Sequence, residues 1–299
     1  MLDQALRKAK WRQRLMMVLI AVIVLLVLAP LGYGAFNQLS SRQTSALYQE
    51  LADYHNVAEP NVSVAIEMLD NNSSLGGNVV TKEYKEIDGY VVPWGTYISH
   101  YSFYRHQMDE SFVQTVSNRL DQNTAKQQFQ NSTLQKVARF YRTTQGLPNE
   151  AQTLDQMPNH VGEIAVTFKR PLTYAELKQW LPKEVNMTWG YLFNDTNRSG
   201  AGDETNIAEN PIGMDLRYDN TPSSQLKAWR QALTRYWGQA PRTSTMTHTL
   251  KASAKTLQFR GVILTGTTEQ LAKVAGASNV AGTSVGVTVA RVPYIKPVK

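Results

Sequence analysis

Cysteine is absent from this chain of 299 residues. The absence excludes disulfide bonds, thiolate zinc sites, cysteine nucleophiles and lipid attachment through a lipobox cysteine. At this length the chain can form one large domain or two modest ones, each with its own core. Whatever domains it forms must be stabilised by those cores, because no covalent cross-link is available.

Catalytic motifs are also missing. The sequence has no G-x-S-x-G elbow, no S-x-x-K and no glycine loop that cradles phosphate. His55, His160 and His248 are scattered along the chain. We therefore predict that the chain is not an enzyme, and we assign no catalytic, cofactor-binding or metal-ligating residue and no cofactor.

Two patterns are weak candidates for metal sites. Asp195 to Gly200 resembles the first half of a calcium loop, but position twelve is Asn206 where a bidentate glutamate belongs, so a solvated loop is favoured. His100 and His106 are six residues apart, with aromatic residues between them. That spacing does not match the i, i+4 pair of a zinc-binding helix, so a partly buried aromatic segment is favoured.

The positive charge is concentrated at the N-terminus. The formal net charge is +7, and residues 1–14 alone contribute +4. The rest of the chain lacks the basic excess that nucleic-acid binding needs, so we predict no nucleic-acid partner. The candidate residues for anchoring or for a cytoplasmic contact are Arg7, Lys8, Lys10, Trp11, Arg12 and Arg14.

An uncharged apolar run, Leu15 to Phe36, follows the basic residues. At 1.5 Å per residue it forms about 33 Å of helix, enough to cross a bilayer core of about 30 Å. The preceding basic residues place the N-terminus in the cytoplasm and the remainder outside the cell membrane. A cleaved signal peptide is the alternative, but this run is longer than a signal h-region of about 7 to 15 residues.

Beyond the membrane we predict an α+β region. Gln38 to Asn56 has helical periodicity and continues the membrane helix as a stalk, and strands are predicted at Asn61–Ile66 and around Asp88-Gly89. Met108 to Arg142 reads as two helices. A polar stretch with two prolines, Thr143 to His160, marks a domain boundary or a long connection.

The C-terminal part contains two similar β-α-β units. In the first, Val161–Phe168 is a strand that Pro171 stops, Thr173 and Glu176 cap a helix from Tyr174 to Leu181, and Val185–Phe193 is the second strand. The second unit consists of a strand, a helix capped at Thr267 and a closing strand: Leu257–Thr265, Leu271–Ala275 and Ser284–Arg291.

These units predict a ferredoxin-like sheet for the C-terminal part. A further helix is expected at Ser223–Trp237, and Trp180, Trp189 and Trp229 are expected in the core. The 194–222 segment reads either as a mobile recognition loop or as a tolerated insertion. The predicted organisation is a tail (1–14), a transmembrane helix (15–36), a stalk with an N-terminal extracytoplasmic region (37–157) and a C-terminal domain (158–299).

The sequence resembles the sigma factor regulators, single-pass anti-sigma proteins of Gram-positive bacteria. The resemblance of the C-terminal domain is carried by VGEIAVTFKRPLTYAELKQWLP, FRGVILTGTTEQLAKV and SVGVTV. Residues from about Lys8 to Pro60-Asn61 are similar to the N-terminal segment of the same family. The resemblance implies a membrane-anchored regulator that modulates an extracytoplasmic-function sigma factor through an outer sensing or scaffolding domain.

The family pattern includes a cytoplasmic segment that contacts the sigma factor. Here 14 residues precede the apolar run, at most about 21 Å of helix, which is less than a standard interface of about 20 to 30 residues per side. Either the tail binds as a helix, or a small partner membrane protein supplies the contact, or only the role of the outer domain is kept. The alternative function is an extracytoplasmic binding or assembly module of the envelope without sigma-factor contact.

Overall fold

The computed structural model describes residues 2–112, 119–120, 127–194, 206–238, 244–292 and 294–295. The chain begins with one long helix, α1, which spans Leu2–Ala58. It contains the predicted membrane segment and continues through the predicted stalk, so the prediction of a helical stalk is confirmed. Pro30 lies inside this helix and does not end it.

Four strands follow α1 and form a sheet in sequential order. They are β1 (Ser63–Ser73), β2 (Gly76–Ile87), β3 (Tyr90–Ser102) and β4 (His106–Gln107). Between β2 and β3 the chain turns at Asp88 and Gly89, both with positive φ, as a two-residue hairpin turn requires. The strand prediction around Asp88-Gly89 is therefore confirmed, and the strand predicted from Asn61 begins at Ser63 and extends to Ser73.

Two compact units divide the described chain. The smaller unit contains residues 1–48, 69–79 and 99–107. Within it Phe36 and Phe103 pack edge to face with ring centroids 5.0 Å apart, and the Ser40 hydroxyl donates to the Ser73 carbonyl. The larger unit contains all remaining residues and therefore the whole C-terminal sheet.

The segment predicted as two helices, Met108 to Arg142, is mostly extended where it is described. It contains a 3-10 turn at Glu110–Phe112 and the short antiparallel strands β5 (Arg119–Leu120) and β6 (Gln127–Gln128). The prediction of a helix from Leu134 to Tyr141 is wrong. The Asn131 side-chain oxygen accepts hydrogen bonds from the backbone amides of Thr133 and Gln135, a local turn that competes with helix formation. A second 3-10 helix occupies Glu150–Gln156.

The C-terminal part contains the predicted strands and helices of both β-α-β units. The elements are β7 (His160–Thr173), α2 (Tyr174–Trp180), β8 (Asn186–Asn194), β9 (Pro211–Asp215), α3 (Pro222–Trp237), α4 (Ser244–Lys251), β10 (Gln258–Thr267), α5 (Thr268–Ala275) and β11 (Val280–Ala290). The sheet has the order β11-β7-β10-β8-β9, and all its pairs are antiparallel. The ferredoxin-like classification itself stays a prediction.

Two local expectations need correction. Pro171 does not stop β7, because it lies opposite the irregularity in pairing between Phe259 and Gly261, where no regular ladder hydrogen bond is lost. The 194–222 segment is not one long loop either. Its described part contains β9, which pairs with β8 at the edge of the sheet.

The core lies along this sheet. Trp189 and Trp229 are buried as predicted, whereas Trp180 is only half-buried and packs edge to face on Phe168. The Phe140 ring stacks on Tyr191 with centroids 4.6 Å apart. Aromatic packing therefore attaches the extended 137–141 segment to the sheet.

The predicted capping box of α2 is present. The Thr173 hydroxyl accepts from the Glu176 amide at 3.4 Å, and the Glu176 carboxylate accepts from the Thr173 amide at 2.7 Å. We expect Thr173→Ala to lower the free energy of unfolding by about 1 kcal/mol, because one orphan amide of the first turn loses its acceptor. Guanidinium unfolding of the full-length protein in detergent micelles, followed by tryptophan fluorescence, measures this loss. Thr173→Ser keeps the hydroxyl, so an equal loss in both variants would contradict the capping role.

Candidate functional site

The predicted tail residues lie in the first turns of α1, and their side chains are exposed. Arg7, Lys10, Trp11 and Arg14 are spaced by three and four residues, so they share one face of the helix. Lys8 and Arg12 lie beside that face. Trp11 is 64% exposed, so the tail presents one large aromatic side chain among its basic ones.

The apolar run that follows the tail is exposed along its whole length. The most apolar 18 residues of the helix have a mean hydropathy of 3.0. None of them is buried by other parts of the protein. Leu25, Leu26 and Leu31 are all more than 60% exposed. A continuous apolar surface of this kind needs a nonaqueous neighbour, and its length fits a bilayer core. The exposure argues against a core helix of a soluble domain.

At its other end α1 leads into a buried cluster of ionisable groups. The His55 ring Nδ1 contacts the Glu59 carboxylate, and it lies 3.7 Å from Oε1 of Glu83 on β2. One ligand-type atom from each of these three residues lies within 4.8 Å of the others. Glu59 and Glu83 are buried, and the side chain of His55 is 15% exposed.

Within the cluster the two carboxylates share a single basic side chain, His55. No donor among the described residues reaches either carboxylate oxygen of Glu83, and a hydrogen bond between Glu83 and Glu59 needs a proton on one of them. Burial, followed by the Glu59 carboxylate, raises the pKa of Glu83 to about 10. Burial lowers the pKa of His55, but the Glu59 carboxylate outweighs it and the net shift is upward. Such a cluster can hold a shared proton or a cation.

A second buried ionic group lies nearby on β2. Lys85 Nζ donates to both carboxylate oxygens of Glu163 at 2.9 Å, and Asn61 donates to the same carboxylate at 3.2 Å. The Lys85 ammonium also lies 4.0 Å from the centre of the Trp94 ring. Lys85 and Glu163 are buried, so this pair fixes the end of the α1 segment and β2 to the first strand of the C-terminal sheet.

The last turns of α1 also contact α3. The guanidinium of Arg235 donates two hydrogen bonds to the Asp53 carboxylate, at 2.7 and 2.6 Å. Next to this pair the rings of Tyr54 and Tyr236 lie 6.1 Å apart. The stretch from Asp53 to Asn61 therefore makes polar contacts with α3, β2 and β7.

Two cavities accompany these groups. A small one of about 60 Å³ is lined by Glu59, Lys85, Trp94 and Arg139. A larger groove of about 510 Å³ is lined by Glu86, Tyr174, Lys178, Arg217 and other residues of the larger unit. The volume of the groove lies in the range of small-molecule sites.

The weak metal candidates of the sequence do not coincide with this cluster. Asp195 to Gly200 lies outside the described residues. The His100 ring contacts the Asn78 side chain at 2.7 Å, and the His106 ring contacts the Gln43 side chain at 2.7 Å. The structure thus gives each of these histidines a separate amide partner.

Sequence reasoning missed the cluster of His55, Glu59 and Glu83. The i, i+4 spacing of His55 and Glu59 at the end of the predicted stalk was a usable signal, because two ligand-type residues at that spacing lie on one helix face. Glu83 lies on a strand far from them in the sequence. Nothing in the sequence alone indicates that the hairpin brings it to the end of α1.

Comparison with known families gives two matches. The family model described as sigma factor regulator N-terminal matches residues 3–92, and the one described as sigma factor regulator C-terminal matches residues 154–287. The first match covers α1 almost from its start and continues through β2, which carries Glu83, into the first residues of β3. The second covers most of the C-terminal sheet. No curated protein and no solved structure shows significant similarity to the chain.

Proposed function

Because the chain belongs to the sigma factor regulator family, we propose that it holds an extracytoplasmic-function sigma factor under control from the membrane. Its place in the family makes the chain a regulator of sigma factor activity. The family is regulatory and is not known as an enzyme family. The finer proposal concerns the class of sigma factor, the orientation of the chain and the role of the outer domain.

The observation that carries this proposal is the continuity of α1. One helix bears the basic face with Trp11, then the exposed apolar run, and then the stretch that leads to the buried cluster. The excess of basic residues before the apolar run favours a cytoplasmic N-terminus. In this proposal residues 1–14 contact the sigma factor or a small partner membrane protein, residues 15–36 span the bilayer, and residues 37–157 and 158–299 lie outside.

The groove of about 510 Å³ supports a sensing role for the outer domain. Its lining combines acidic, basic and aromatic side chains, including Glu86, Lys178, Arg217 and Tyr218. The Tyr218 hydroxyl donates to Glu86, and the Arg217 guanidinium donates to Asp215, so the polar lining is preorganised. A preorganised polar groove of this size suits a small polar ligand.

The test separates contact from anchoring. In the test variant, glutamine replaces Arg7, Lys8 and Lys10 together. The full-length protein is crosslinked and affinity-purified. We expect the variant to recover at least tenfold less of the sigma factor or of the partner membrane protein. The substitutions remove charge from the tail but leave Arg12 and Arg14 next to the membrane to keep the orientation. Recovery is measured from membranes of the native host.

The matched control keeps the charge. The control variant combines Arg7→Lys, Lys8→Arg and Lys10→Arg, so every positive charge is preserved. If the contact is electrostatic, this variant should recover the partner as the wild type does. Equal recovery with the glutamine variant would refute the basic side chains of the tail as the contact site. Sigma-dependent transcription that is unchanged when the gene is deleted would refute sigma-factor control. In that case the chain would be an envelope module. Protease accessibility of the C-terminal domain in intact protoplasts tests the orientation.

A further inference from the structure

The cluster at the end of α1 brings two buried carboxyl groups to one imidazole ring. The Lys85 ammonium is held by both oxygens of Glu163, and Arg235 is paired with Asp53. Arg139, on the same small cavity, has Glu209 as its acidic neighbour. Lys85 and Arg235 are therefore each paired with another carboxylate, and His55 is the basic side chain that contacts Glu59.

The geometry of the three side chains suits a single metal ion. An ion about 2.1 Å from each ligand atom can bridge the 3.7 Å between His55 Nδ1 and Glu83 Oε1. Glu59 offers the third ligand, and because all three ligand-type atoms lie within 4.8 Å of one another, a small side-chain movement brings them to one ion. The Glu83 carboxylate is buried, lacks a donor among the described residues and points into this group. Its oxygens can be held either by a proton shared with Glu59 or by a cation.

The ligand set indicates the class of ion. One imidazole nitrogen with two carboxylates suits a borderline divalent ion such as Zn²⁺, whereas Mg²⁺ and Ca²⁺ prefer oxygen ligands alone. The adjoining cavity of about 60 Å³, which Glu59 lines, has room for a water molecule as a fourth ligand. His55 and Glu59 are in direct contact without an ion, so binding requires their side chains to separate.

We propose that His55, Glu59 and Glu83 form a binding site for one Zn²⁺ ion. The ion joins the end of α1 to β2 and balances the charge of the two buried carboxylates. This inference does not depend on sigma-factor control, because it rests on the described residues of the larger unit alone. The bound ion would make the end of α1 more rigid.

The test is a titration of the full-length protein. Protein in detergent micelles, stripped with a chelator, is titrated with ZnCl₂ in a calorimeter. We expect one saturable site per chain and a rise in the unfolding temperature on binding. Glu83→Gln removes one ligand charge at constant size, and we expect at least tenfold weaker binding together with the loss of the zinc-dependent rise.

Two further variants keep the test decisive. His55→Gln should weaken Zn²⁺ binding to a similar extent, and it decides the matter if Glu83→Gln fails to fold by circular dichroism. His248→Gln is the matched control, because His248 is exposed on α4, and this variant should bind like the wild type. An absence of saturable binding by the wild type, or equal affinity in wild type, His55→Gln and folded Glu83→Gln, would overturn the proposal and indicate adventitious surface binding only.

Discussion

Replacing Lys85 with methionine is expected to lower the free energy of unfolding by about 3 to 5 kcal/mol. The reason is the Glu163 carboxylate, which is fully buried and receives both of its strongest hydrogen bonds from Lys85. After the substitution, Asn61 is the side-chain donor among the described residues that still reaches this carboxylate, at 3.2 Å. A buried carboxylate with one neutral donor costs far more than the intact pair.

The measurement is guanidinium unfolding of the full-length protein in detergent micelles, with tryptophan fluorescence as the probe. The double variant Lys85→Met with Glu163→Met should recover most of the loss, because two apolar side chains of similar length replace the pair without leaving a charge. Lys136→Met is the matched control. It breaks the more exposed Lys136–Glu150 pair, which is expected to be worth less than about 1 kcal/mol.

Comparable losses in Lys85→Met and Lys136→Met would contradict this account of the buried pair. A double variant as unstable as Lys85→Met would also contradict it, because the loss would then come from packing and not from an uncompensated charge. Lys85 also covers the Trp94 ring, so part of the loss in every Lys85 variant belongs to this cation-π contact.

Local signals in the sequence were sufficient for much of the fold. Thr173 and Glu176 predicted the start of α2 because a capping box involves only residues within one turn. Strands were predicted around Asp88-Gly89, and the structure adds that these two residues form the hairpin turn between β2 and β3, both with positive φ. The apolar run predicted a membrane helix, and the structure adds that the helix does not end at Pro30.

Signals that depend on distant contacts were misleading. The residues from Val137 to Tyr141 have apolar members at helical spacing, but all five are buried, which fits an extended segment better than one helix face. Their partners, such as Tyr191 for Phe140, lie far away in the sequence. The prediction that Pro171 stops the strand failed for the same reason. The proline is accommodated within β7 because the pairing with β10 is irregular there.

The candidate site could be anticipated only in part. The tail residues could be proposed because their charge and their position before an apolar run are both local properties. The buried cluster joins His55 and Glu59 to Glu83, and the neighbouring pair joins Lys85 to Glu163, which is 78 residues away. Whether an acidic side chain on a strand is solvated or buried depends on which elements cover the sheet. The spacing of apolar residues along the sequence does not show which elements cover the sheet.

The second large effect is expected at Gly261, where β10 pairs closely with β7. A Cβ atom at this position would lie 2.4 Å from the Val166 carbonyl oxygen and 2.8 Å from the Phe140 ring. The carbonyl belongs to a paired central strand and cannot retreat without disturbing the ladder with β10. We therefore expect Gly261→Ala to destabilise the protein by about 3 kcal/mol, at the upper end of the cost of overpacking.

Gly266→Ala on the same strand is the matched control. A Cβ at Gly266 would have its nearest neighbour, the Glu184 carbonyl oxygen, at 3.4 Å, so the same substitution should change the free energy of unfolding by less than about 1 kcal/mol. Phe140→Leu combined with Gly261→Ala distinguishes the two contacts. If the carbonyl contact dominates, trimming the ring will not restore stability. Equal stability of Gly261→Ala and Gly266→Ala would show that β10 and β7 can move apart. That result would contradict the close approach of the two strands at Gly261.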